Sequence, residues 1–80
     1  MKKFELTMES KKINGVIFFR IRALKDFEKK VSVKKGDLGG WVEKEENLSQ
    51  EGNAWVSGNA RVSGNAWVFG NARVFGEVSR

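Results

Sequence analysis

Between Gly52 and Phe75 the chain repeats itself every six residues, reading GNAWVS, GNARVS, GNAWVF and GNARVF, before Gly76 and Glu77 begin a fifth unit. Self-similarity at a fixed short period means stacked structural units, none of which can bury its apolar side alone, and a six-residue period points to a β-helical solenoid. In an extended chain successive side chains alternate between faces. Ala54, Ala60, Ala66 and Ala72 therefore share one side with Val56, Val62, Val68 and Val74, and these two columns are the expected core. Alanine leaves room beside a corner and valine fills the flat side. Gly-Asn makes the corner, because both residues tolerate positive φ.

Two coil sizes are open at this level. Three hexads per coil place Trp55 over Arg73 as a cation–π pair, whereas two per coil stack Trp55 on Trp67, and the alternation Trp55, Arg61, Trp67, Arg73 has the matching period of twelve. Counting back in sixes sets Leu48 and Val42 in the alanine column, Gly40 at a corner, and Lys44 and Gln50 in the valine column. The solenoid is thus expected to begin near Asp37 with irregular first units, Glu43 to Glu46 bulging out as a charged loop. Counting forward puts Val78 in the alanine column and Arg80 in the valine column, where a charge ends the core.

Ahead of the repeat, Phe4, Leu6 and Met8 alternate with Glu5, Thr7 and Glu9, the pattern of a half-buried strand. Asn14-Gly15 is the strongest short hairpin signal, a two-residue type I′ turn. Pairing outward from it sets Met8 opposite Ile21, Leu6 opposite Ala23 and Glu9 opposite Arg20, with Phe18 on the polar face beside Arg20 and Arg22. Apolar residues then meet on one side and a charge pair on the other. A link through Phe27 leads to Val31 and Val33, read as a third strand. The expected fold is all-β, a single domain over 1–80. An N-terminal β-hairpin (1–35) caps a short left-handed hexapeptide-repeat β-helix (36–80), since terminal units must cover an open apolar coil.

Eighty residues bury only about 60% of their unfolded surface, so such a chain leans on repetitive packing or a partner. Cysteine and histidine are both missing, which removes zinc sites, thiol nucleophiles and the ordinary near-neutral general base. With no Asp-rich calcium loop and no base near Ser57 or Ser63, the expectation is no enzyme, no catalytic residue, no metal and no cofactor. Val16 to Phe19, an apolar run that no other exceeds, is far short of the ~20 residues that span a bilayer, and the N-terminus shows no secretory pattern. A formal charge of +5 leans toward acidic partners, although ten acidic residues are interleaved with the basic ones.

The run GDLGGWVEKEENLSQEGNAWVSGNA from Gly36 to Ala60, together with Phe4 to Phe27 and its RIRALKDF, resembles a family of small phage and prophage β-helical proteins that join a short N-terminal β segment to GNAxVx or GDAxVx repeats. The resemblance implies the β-helical fold. Some members of this general type are associated with anti-CRISPR activity, so it also implies an inhibitor in the host cell cytoplasm that blocks a host protein or ribonucleoprotein, foremost an RNA-guided nuclease. A self-assembling structural module and a basic-aromatic nucleic-acid binder are the alternatives, and a homodimer is expected because the C-terminal hexads carry no cap. By strict alternation Trp55, Trp67, Phe69 and Phe75 point outward with Arg61 and Arg73, and Trp41 enters just before them. Exposed Trp and Arg are the pairing enriched at hot spots, so Trp55, Arg61, Trp67, Phe69, Arg73 and Phe75 are the candidate partner-binding residues. The competing reading is that the N-terminal section folds over these rings.

Overall fold

The computed structural model describes residues 2–27 and 33–79. Within them the regular structure is β, apart from a single 3₁₀ turn at Glu45–Asn47. Its strands are β1 (Phe4–Ile13), β2 (Val16–Ala23), β3 (Leu38–Val42), β4 (Trp55–Val56), β5 (Arg61–Ser63), β6 (Arg73–Val74) and β7 (Glu77–Ser79). Five of these form one mixed sheet in the order β1-β2-β3-β5-β7, and β4 and β6 form a second. The all-β expectation holds. The hairpin is more than a lid, because β2 pairs antiparallel with β3 and carries its ladder into the parallel pairs β3·β5 and β5·β7.

Asn14 and Gly15 both take positive φ, 51° and 85°, as a type I′ turn requires. Next to the turn the register is the expected one, with Ile13 opposite Val16 and Lys11 opposite Phe18, but an irregularity between Leu6 and Ser10 shifts it by two residues. Leu6 therefore faces Ile21 and Phe4 faces Ala23, in place of the Met8 and Leu6 expected there. A slip of two preserves which side chains face inward. It brings the larger Phe4 into full burial and leaves Met8 fully exposed. Glu9 still meets Arg20, at 3.7 Å. Val33 is buried but lies outside any strand, and Val31 falls outside the described residues.

The repeat builds its inward columns as expected. Ala54, Ala60, Ala66, Val56, Val62, Val68 and Val74 are all buried, and Gly52, Gly58, Gly64 and Gly70 each take positive φ between 58° and 71°, so glycine alone makes every corner. Ala72, in the last repeat, is exposed. Trp55 pairs with Arg73 and Val56 with Val74, three hexads on rather than two. The cation–π contact expected of that register is replaced: Trp55 meets Phe27 edge-on at 5.0 Å, and the Arg73 guanidinium lies over Phe75 at 5.4 Å.

Outside the clean hexads the backward and forward counts fail, each by two residues. Val42 pairs with Val62 and Leu48 bridges Val68, so both occupy the valine column, and Lys44 and Gln50 stay out of it. The extra length lies between Leu48 and Ala54, where Gln50 turns back to the hairpin. Its Oε1 accepts from the backbone N–H of Lys3 at 2.7 Å and of Phe4 at 3.3 Å. The expected charged bulge at Glu43 to Glu46 is instead a two-residue bend after β3 and the start of the 3₁₀ turn. Asn47 is fully buried there and ties the turn to the segment 64–66, donating to the carbonyls of Ala66 at 2.9 Å and Gly64 at 3.1 Å. At the other end Val78 sits opposite Val62 in the valine column, two residues early. Arg80 lies outside the described residues. Gly40 is no corner either: with Trp41 opposite Arg61, it stands inside β3 at the alanine position beside Ala60.

Candidate functional site

The six candidate residues do not form one surface. Trp55 is 3% exposed, packed under Phe27 and against Gly39, so it belongs to the core, whereas Trp41 is buried outside that core, beneath side chains of the hairpin. For these two rings the N-terminal section does fold over the repeat. Arg61 projects onto the face of the five-stranded sheet, ion-paired with Glu77 and 6.0 Å from the centre of the Phe18 ring. Arg73 donates to Ser57 Oγ at 3.2 Å and sits with Phe75, which is 73% exposed.

Trp67 and Phe69 remain together in the open. They are 58% and 55% exposed and stack on each other with ring centroids 4.5 Å apart and 23° between planes. Alternation around the inward Val68 puts them on the same outward side, and the bridge from Val68 to Leu48 brings the Glu45 to Gly52 segment alongside. Rings and segment line an open groove of about 1010 Å³. Glu45, Glu46 and Glu51 stand in its wall, and among the described residues no lysine or arginine lines it. The polar contributors expected around these rings were arginines. The structure surrounds them with carboxylates.

The basic and aromatic residues meet elsewhere, on the outer face of the large sheet. One row runs across it through Arg20, Trp41, Arg61 and Glu77. Lys11 Nζ lies 4.1 Å and the Arg20 guanidinium 5.5 Å from the Trp41 ring. The Phe18 and Trp41 rings are both buried beneath these cations, so this face presents lids of charge rather than open rings for base stacking.

Lys3 is the buried charged side chain among the described residues. Its ammonium is fully buried at the junction of hairpin and repeat, donating to the Ala54 carbonyl at 2.7 Å and lying 5.2 Å from the centre of the Phe27 ring. Burial, and secondarily the charge of Lys25, lowers its pKa from 10.5 to about 8. A lowered lysine pKa is a mark of catalytic amines. Here full burial and backbone partners make it structural, and no sequence pattern singled it out.

Lys3 also sets a pH dependence. Between pH 8 and 10.5 the unfolded chain holds the proton that the folded chain has released, so stability rises with pH across that window. The full relief is about 3 kcal/mol. The melting temperature should increase between pH 7.5 and 9.5, and Lys3→Met should flatten the increase. An equal increase in the variant would assign the effect to other groups.

Comparison with known proteins returns no matching family model and no matching curated relative. The phage resemblance thus rests on the residues that carry it. Among the described residues no helix is long and apolar enough to cross a membrane.

Proposed function

We propose that this protein is a non-catalytic binding protein that acts by occupying a surface of a macromolecular partner, and that its parallel ladders are the sides of a short three-sided, left-handed β-helix. The pairing of Trp55 with Arg73 supports three hexads per coil. The observation that carries the functional reading is the stacked Trp67–Phe69 pair, more than half exposed at the edge of a groove of about 1010 Å³. Two large rings held in water by backbone alternation cost solvation that a partner recovers. The family resemblance makes that partner a host defence complex, foremost an RNA-guided nuclease, in the host cytoplasm.

The test is retention of a defined target from host lysate on the immobilised protein, with and without nuclease treatment, followed by affinity measurement on what is retained. Trp67→Ala should weaken the complex by about 2 kcal/mol or more, with the melting curve of the free protein unchanged because the ring packs on the surface. A variant that binds as before removes the aromatic pair from the interface. A variant that unfolds removes the premise that the ring is an addition to the fold.

Self-association is the second reading. Strand β7 lies at the end of its sheet with one partner strand, and Phe75 just before it is exposed, so two copies meeting there would cover edge and ring together. Light scattering at micromolar concentration decides it: a mass of twice the monomer is expected for a homodimer, and a monomer ends this reading.

A further inference from the structure

The aromatic groove has a sign. The chain carries a formal charge of +5, yet the groove is walled by Glu45, Glu46 and Glu51 and, among the described residues, by no cationic side chain. Glu45 is partly spent, since Lys2 Nζ lies 3.1 Å from its Oε1 and Gln50 Nε2 lies 3.3 Å from its Oε2. Glu46 and Glu51 are exposed and make no ion pair among the described residues. Opposite them stand the Trp67 and Phe69 rings. An indole face beside unpaired carboxylates matches a cation on an apolar stem, which the ring quadrupole and the carboxylates attract together. Arginine fits best, because its planar guanidinium stacks on an aromatic face while its N–H groups reach a carboxylate.

We propose that this groove binds an arginine-bearing basic segment of a partner protein, with a guanidinium stacked on Trp67 and paired to Glu46 or Glu51. The proposal rests on the reading of Trp67 and Phe69 as a binding surface and adds the chemistry of what they bind. It turns the expectation of an acidic partner around at this site. Nucleic acid is disfavoured there, since each phosphate would approach three carboxylates. The mixed surface elsewhere leaves room for acidic partners on other faces.

Trp67 is the exposed indole of the three in the chain, Trp41 and Trp55 being buried, so its fluorescence reports the groove. Hexa-arginine should shift that emission saturably at low salt, and hexa-glutamate and oligothymidylate should not. Glu46→Gln with Glu51→Gln should weaken hexa-arginine binding by roughly tenfold, as two surface ion pairs allow. The charge-matched pair Glu5→Gln with Glu9→Gln, on the hairpin, should leave it within about twofold. Calorimetry should show a comparable loss for Trp67→Ala, which no longer reports by fluorescence. Absence of hexa-arginine binding, equal weakening by both glutamine pairs, or preferential binding of oligothymidylate would overturn the proposal. So would a dimer that Trp67→Ala dissociates, since a second copy would then fill the groove. A defined target lost by Trp67→Ala but kept by the Glu46→Gln, Glu51→Gln variant rejects the cationic occupant while the binding surface stands. A target kept by both variants rejects the two readings together.

Discussion

Val62→Asp should abolish the fold. Val62 is fully buried at the centre of the parallel ladder, with Val42 of β3 on one side and Val78 of β7 on the other. A carboxylate there would stand within the hydrophobic core cluster, and an unpaired buried charge costs several kcal/mol. A domain of this size has roughly 4–12 kcal/mol in total, so one such charge removes most or all of it. Circular dichroism melting reads the result directly. Val78→Asp is the internal comparison: Val78 packs in the same column but is only partly buried, so its carboxylate can reach water and its cost should be visibly smaller. A Val62→Asp protein that melts like the parent would mean that the alanine and valine columns are not the core.

Gly40→Ala should destabilise the protein by roughly 3 kcal/mol, the upper range for overpacking a closed core. A Cβ at Gly40 would lie 2.6 Å from the Ala60 carbonyl oxygen and 2.6 Å from a Val56 methyl group. The methyl can rotate, but the oxygen cannot withdraw, because it accepts the Trp41 N–H at 2.9 Å in the β3·β5 ladder. Gly39 is equally closed: a Cβ there would lie 2.7 Å from the Val56 carbonyl oxygen and 2.6 Å from the Trp55 ring. The pair Gly39-Gly40 is thus the place where the hairpin sheet presses onto the repeat. Gly58→Ala separates this effect from backbone strain. Gly58 has φ 58° and open space around its missing Cβ, so alanine there meets only the left-handed backbone penalty of about 1–2 kcal/mol. Denaturant midpoints should rank Gly40→Ala below Gly58→Ala. The reverse order would show that the close approach at Gly40 relaxes without cost.

The failures of sequence reading have one form. Within the clean hexads, period and alternation locate every corner and nearly every core residue, since both are local properties of an extended chain. Where the period lapses, at Ser49 to Glu51 and at Gly76 to Val78, counting in sixes misplaces the register by two. The cause is a choice made across the fold. Gln50 leaves the repeat to cap the start of β1, and Leu48 moves to the valine column, where it bridges Val68. The bulge in β1 is the same kind of event, Leu6 taking the place opposite Ile21 for which Met8 was in register and Phe4 the buried place opposite Ala23. None of these trades leaves a mark on a six-residue window, because each compares burial in one segment with hydrogen bonding in another.

The two tryptophan repeats separate local from tertiary control. Gly52 to Val56 and Gly64 to Val68 are the same five residues, GNAWV. The sequence by itself determined what they share: a glycine corner at positive φ, a buried alanine and valine, and a tryptophan pointing away from both. Those features follow from φ preferences and side-chain alternation, which act within the pentapeptide. Only the tertiary structure decided that Trp55 is sealed beneath Phe27 and Gly39 while Trp67 stands 58% exposed beside Phe69 and a wall of carboxylates. What covers an outward side chain depends on which distant segment pairs across the sheet, and identical neighbours in sequence carry no information about that.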